Sequence, residues 1–212
     1  MPSCCALGDA LYEPRVIHKS DNFFVMPSRG PRGIIGYLLI TSKEHNEGMG
    51  SLPASFYPEL DDVVDRTKAR IKEKLNMPSL VFEHGPRICG VRGGGCLDHA
   101  HFHVVPDGQL AKPLASTLLD YMSQVGSTIN LEKTKGYDLL RACYEEGRSS
   151  YMYVDTEETL SQLELFVKVN FNTPSQFMRR IISKQGNPKL WDWRTHPDEE
   201  TMQKTLDIFG KF

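Results

Sequence analysis

The chain has 212 residues, 40% hydrophobic and 25% charged, with 25 Lys and Arg against 27 Asp and Glu for a formal net charge of -2. That is enough apolar material for one sizeable core, while the near-balanced charge leaves no basic footprint for a nucleic-acid groove and no apolar run reaches the roughly twenty residues a membrane span needs. The cysteines (Cys4, Cys5, Cys89, Cys96, Cys143) are odd in number and irregularly spaced, and the start MPSCCALGDALYEP lacks a basic segment followed by an apolar one, so free thiols in a reducing cytoplasm are expected.

In chain order, NFFVMP (22 to 27) reads as a strand, SRGPRG as a turn and IIGYLLIT (34 to 41) as a second strand, together a hairpin. In SLPASFYPELDDVVDRTKARIKEKLN, the residues Phe56, Leu60, Val63, Val64, Ile71 and Leu75 recur near helical spacing, with acids early and bases late as the helix dipole prefers. SLVFEHG (79 to 85) reads as a buried strand, joined by the Gly-rich PRICGVRGGGCLD to a histidine-bearing strand. Two strands with no helix between them imply an antiparallel sheet. KPLASTLLDYMSQVG and GYDLLRACYEEG read as helices, and SYMYVDTEETLSQLELFVKVN as a hairpin. TPSQFMRRIISKQG reads as a helix with Thr173 as N-cap, Pro174 in the first helical position and Gln176 completing a capping box. The expected fold class is α+β, a central antiparallel sheet flanked by helices, with residues 1–135 as the main unit and 136–212 as a C-terminal α/β extension packed on the core.

Three of the seven histidines, His99, His101 and His103, fall in CLDHAHFHVVPDG (96 to 108), alternating with Ala100, Phe102 and Val104. This is the period of a strand, so the imidazoles project from one face while the spacers enter the core. Three chemistries fit such a ladder. It is a set of satisfied surface histidines; or it is a metal site, since His at i and i+2 can share one zinc, although no acid follows before Asp107; or it supports nucleophilic attack on phosphorus. The last requires an imidazole with one ring nitrogen free and the other held as N–H by an acceptor. It also requires donors for the phosphoryl oxygens, which the backbone of GVRGGG (90 to 95) with Arg87 and Arg92 could supply. The glycine spacing matches neither a dinucleotide fingerprint nor a P-loop.

HAHFHVV (99 to 105) resembles the signature of the histidine triad (HIT) family of nucleotide hydrolases and transferases, and GYLLITSKEH (36 to 45), the LP-led helix and VFEHG (81 to 85) follow in the family's order. The resemblance covers roughly residues 22 to 106. It implies a HIT-like fold and a two-step reaction at the α-phosphate of a nucleoside monophosphate derivative (a phosphoramidate, sulfate or dinucleoside polyphosphate). In it His101 is the nucleophile, His99 helps hold its ring, and His103 contacts phosphate or leaving-group oxygens. No cofactor or metal is implied, and the adjacent Cys4 and Cys5 are poorly spaced for a structural zinc. The chain departs from the family at Tyr37, where many members have His, at Gly95, where many have Gln, and at Glu83 and His84, where the strand often ends in Asn. The family's ribose-binding side chain falls near Ser28 or Arg29. Tyr37, His45, Glu83, His84, Gly95 and Cys96 are therefore the expected substrate-binding residues beside the triad.

The extension contributes Gln176, Arg179 and Arg180 as further candidates. They stand in the first turns of a capped helix, opposite the apolar stripe Met178, Ile181 and Ile182 with Phe177, where dipole and guanidinium both favour an anion, so this helix is expected to close the site. Trp191 and Trp193 are read as packing anchors. A nucleotide is the expected partner, with no nucleic acid and no membrane; a homodimer is left open.

Overall fold

The computed structural model describes residues 13–31, 33–85, 99–109, 113–131, 137–145, 151–156, 163–169, 176–185 and 187–212. Its elements are β1 (His18–Lys19), β2 (Phe23–Pro27), β3 (Leu38–Ser42), α1 (Tyr57–Leu75), β4 (Ser79–Gly85), β5 (His101–Pro106), α2 (Leu114–Val125), β6 (Gly126–Leu131), α3 (Tyr137–Glu145), β7 (Tyr151–Thr156), β8 (Leu163–Val169), α4 (Phe177–Gln185) and α5 (Glu199–Phe209). The strands form one sheet in the order β1-β2-β3-β5-β4-β7-β8-β6, every neighbouring pair antiparallel. The architecture is α+β, with the histidine strand β5 held between β3 and β4.

Alternation along the central strands sorts the core into two layers. Phe102 and Val104 of β5, Leu38 and Ile40 of β3 and Val81 of β4 face α1 through Leu60, Val63, Val64 and Ile71, and Phe209 of α5 joins this layer. The residues between them face the other way. Leu80 and Phe82 of β4, Val105 of β5 and Met152 and Val154 of β7 pack against Leu114 and Leu118 of α2 and Met178, Ile181 and Ile182 of α4. The histidines of β5 share the parity of Val105, so they point toward this second layer, on the side of α2 and α4. On the α1 side, Lys68 bonds Asp155 of β7 at 2.5 Å, joining helix to sheet across a buried ion pair.

The extension continues the sheet, with β7 pairing on β4 from Leu80↔Thr156 to Gly85↔Tyr151 and β8 following it. Tyr151 passes so close to Gly85 that a Cβ there would enter its ring. Glycine is therefore required at that crossing.

Several boundaries differ from the expectations, each for a local reason. The second strand begins at Leu38 rather than Ile34, because residues 34 to 37 close a turn in which Gly36 adopts φ 81°, with Tyr37 N–H donating to the Ile34 carbonyl. β6 was not foreseen; its GSTINL has no clean apolar alternation and runs on directly from α2. Nor was α5, whose signal is Asp198 followed by two glutamates: the Asp198 carboxylate caps the helix through Thr201 N–H and also accepts from Gly33 N–H. Finally, α4 starts at Phe177, with Arg180 N–H donating to the Gln176 carbonyl at 3.0 Å. Gln176, at φ 58°, thus stands before the helix and is not the third helical residue of a capping box, while Thr173 and Pro174 lie outside the described residues. Among the described residues no helix is long and apolar enough to cross a membrane.

Candidate active site

β5 opens at His101, and His99 lies two residues before it, so the ladder is two strand imidazoles plus one on the approaching chain. The His99 ring leaves the ladder. Its Nδ1 lies 3.2 Å from the Ser42 carbonyl and 3.1 Å from the Glu44 carbonyl. Its backbone carbonyl instead meets His101 Nδ1 at 3.0 Å. A carbonyl oxygen only accepts, so Nδ1 of His101 carries the hydrogen and the lone pair of the neutral ring resides on Nε2.

His103 is fixed from several sides. Phe82 stacks on its ring at 4.5 Å between centroids, His101 meets it nearly edge-on at 4.7 Å, and the Tyr37 hydroxyl lies 3.0 Å from its Nδ1. From β4, His84 enters the same space, its Nε2 accepting from the Met178 N–H at the start of α4. Phe82, His84, His101, His103, Gln176, Met178 and Arg179 line one small cleft. Residues at the start of α4 and just before it thus line the same cleft as His84, His101 and His103.

Arg179 differs from its expected place on an outer shoulder. It is only 3% exposed, and its Nε and Nη1 are buried without a hydrogen-bond partner; Nη2 reaches Ser28 Oγ at 3.4 Å. α4 is wedged between the sheet and the segment around Ser28, so a position one residue from the apolar stripe is also enclosed. Arg180 takes the outward direction and lies over the Trp191 ring at 3.6 Å, away from the cleft lining. Trp191 and Trp193 are partly exposed.

Glu83 does not belong to this space. Side chains of adjacent strand residues point to opposite faces, and His84 and Phe82 occupy the cleft side. Glu83 therefore turns into the α1 layer, accepting from Met49 N–H at 2.7 Å and the Tyr151 hydroxyl at 2.6 Å. His45 is exposed and touches only the edge of the site, its ring 5.7 Å from that of His99. Gly95 and Cys96, with Arg87, Arg92 and the rest of GVRGGG, lie outside the described residues. Phe82 and the Met178 N–H were not among the expected site groups; alternation from His84 identifies the first, whereas nothing in sequence announces the second.

The electrostatics follow from burial beside a cation. Desolvation, reinforced by Arg179, lowers the pKa of His101 to about 4 and that of His103 well below the usual 6.5, and lowers that of His84 to about 3 with His101 as the next contributor. All three rings are neutral at pH 7. Burial pushes Tyr37 up to about 12 against the opposing pull of Arg179, so its hydroxyl keeps its proton. Among the described residues no three His, Cys, Asp or Glu side chains are grouped to hold a metal ion.

No protein-family model matches the chain, and no curated protein matches it. Solved structures with similarity include a HIT family hydrolase from Clostridium thermocellum (19% identity, covering 53% of this chain and 96% of that one, TM-score 0.38) and a histidine triad protein from Clostridium difficile (16%, 53% and 97%, 0.37). Yeast Ap4A phosphorylase in complex with Ap4A is similar over 99% of this chain and 83% of its own, at 13% identity and a TM-score of 0.47. At such identities and TM-scores the likeness carries no argument about this chain, and the chemistry rests on the side-chain geometry above.

Proposed function

We propose that the cleft performs nucleotidyl transfer on a nucleoside monophosphate derivative, with His101 as nucleophile. The observation that carries the reading is the pairing of His101 Nδ1–H with the His99 carbonyl in a cleft that also holds the buried guanidinium of Arg179. A neutral imidazole attacks only through a nitrogen with a free lone pair, and the carbonyl assigns that pair to Nε2. Nε2 forms a bond to the α-phosphorus while the bond to the leaving group breaks and its electron pair departs with that group. The ring becomes cationic and keeps its Nδ1–H on the His99 carbonyl. Water or another acceptor then attacks phosphorus and releases its proton to solvent, the P–N bond breaks, and its electrons return to the ring.

Negative charge on the phosphoryl oxygens would be met by Arg179 and by donors of His103 and Gln176. The triad resemblance supports the same reaction. Mixing the protein with phosphoramidates, sulfates and dinucleoside polyphosphates and measuring intact mass is expected to reveal a nucleotidyl adduct. His101→Ala is expected to abolish both adduct and turnover while retaining the wild-type melting temperature. A variant that keeps more than roughly a tenth of the rate, a barrier change of only about 1.4 kcal/mol, overturns the assignment.

A further inference from the structure

Tyr37 stands where the related pattern often has histidine, and its surroundings are unusual. The side chain is 2% exposed, lies 3.0 Å through its hydroxyl from His103 Nδ1, and has the Arg179 guanidinium beside that same oxygen. A guanidinium has donors and no acceptor. The favourable arrangement directs the phenol's lone pairs toward Arg179 and its O–H toward His103 Nδ1, 3.0 Å away. His103 then carries its hydrogen on Nε2.

We infer that Tyr37, held by Arg179, is a positioning residue that locks His103 as an Nε2–H donor, and so fits the site to leaving groups that depart as anions rather than as amines. The inference rests on the nucleotidyl-transfer reading and narrows its substrate class to anhydrides, mixed anhydrides with sulfate, and acidic esters. A neutral imidazole N–H donates a hydrogen bond to a developing oxyanion but is a poor source of a whole proton near neutral pH. When an anhydride is cleaved, the P–O bond breaks and the oxygen leaves with its electron pair; a hydrogen bond from His103 and the field of Arg179 stabilise that charge without proton transfer. An amine leaving through P–N cleavage must take up a proton. Burial and Arg179 together keep His103 from supplying one as an imidazolium.

Packing removes the alternatives for the ring. With Phe82 on one face and His101 at its edge, His103 cannot turn over to exchange its nitrogens without displacing both. The Tyr37 ring is itself edge-on to Phe82 at 6.5 Å and to His103 at 5.7 Å, so the three form one aromatic block.

Two measurements test this. Nitrogen NMR of ring-labelled protein reads the tautomer directly: His103 is expected to show unprotonated Nδ1 and protonated Nε2 in the wild type, with loss of that single form in Tyr37→Phe. A protonated Nδ1 in the wild type overturns the proposal irrespective of any activity. The second uses aryl esters of adenosine monophosphate with nitrophenol, chlorophenol and phenol leaving groups, together with adenosine phosphoramidate. Tyr37→Phe is expected to lose roughly tenfold in kcat/KM on the phenol ester and less than about twofold on the nitrophenol ester, whose anion needs little help. The wild type is expected to prefer an adenosine anhydride over the phosphoramidate. Equal losses across the esters, or a wild-type preference for the phosphoramidate, refute the inference while a His101 adduct still upholds the transfer reaction; absence of any adduct refutes that reaction and leaves the NMR result to judge Tyr37.

Discussion

Replacing Arg179 with methionine is expected to move stability and activity in opposite directions. The side chain is 3% exposed, and two of its nitrogens, Nε and Nη1, have no hydrogen-bond partner. Each unmade buried donor costs about 1–3 kcal/mol, and exchanging a buried charge for an apolar side chain of similar length is often neutral or stabilising. Against this stand the loss of one long bond to Ser28 Oγ, at 3.4 Å near the limit of a useful hydrogen bond, and of the guanidinium's interaction with the Tyr37 hydroxyl. Arg179→Met is therefore expected to gain roughly 1–3 kcal/mol without ligand, which at about 2–4 °C per kcal/mol for a chain of this size raises the melting temperature by several degrees. In kinetics the same variant is expected to lose at least about tenfold in kcat/KM, because the cation facing the transferred phosphoryl group is gone. Calorimetry and initial rates on one preparation are sufficient. A lower melting temperature with unchanged kcat/KM would show that Arg179 is a structural residue and that the cleft was not built around an anion.

Two further outcomes depend on strand parity and on titration. Glu83→Ala is expected to cost roughly 2–4 kcal/mol, by leaving Met49 N–H and the Tyr151 hydroxyl without their acceptor, yet to leave the ratio of activities among substrates unchanged; a shift in that ratio would place Glu83 in contact with substrate. Chemical denaturation is expected to show lower stability at pH 5 than at pH 7. His84, His101 and His103 have folded pKa values depressed below 6.5, so the stability linked to their neutral forms is present above 6.5 and lost as pH falls toward about 4 and about 3. Glu83, raised to about 7 by burial, acts in the opposite sense between 4.5 and 7, and one group opposes three. A higher denaturation midpoint at pH 5 would refute the ordering.

How much of this was legible depended on whether a residue's direction is set by its own element or by what packs on it. The alternation in HAHFHVV carried the essential geometry, with spacers toward α1 and His101 and His103 on the reverse face; the His99 carbonyl as acceptor for the His101 ring emerged only from the structure. The amphipathic α1 and the strand SLVFEHG were equally plain, the latter at its observed limits. The pairing of Glu83 with His84 as site residues failed on the same period-two rule that revealed the ladder, since neighbours on one strand cannot both enter one cleft. Arg179 is a different case. A short helix has a wide apolar arc, and whether a position at its margin is enclosed depends on a second surface, here the segment at Ser28, about 150 residues earlier in the chain. His99 was misplaced for a related reason, because β5 starts at His101 and the carbonyls of Ser42 and Glu44 capture the earlier ring.

The Met178 N–H bond to His84 places the opening turn of α4 on top of residues from β4 and β5. His101 precedes Arg179 by 78 residues in the chain, and the segment between them includes β7, which pairs with β4. On the proposed reaction, the cleft would be complete only once α4, near the end of the described chain, has docked on the sheet.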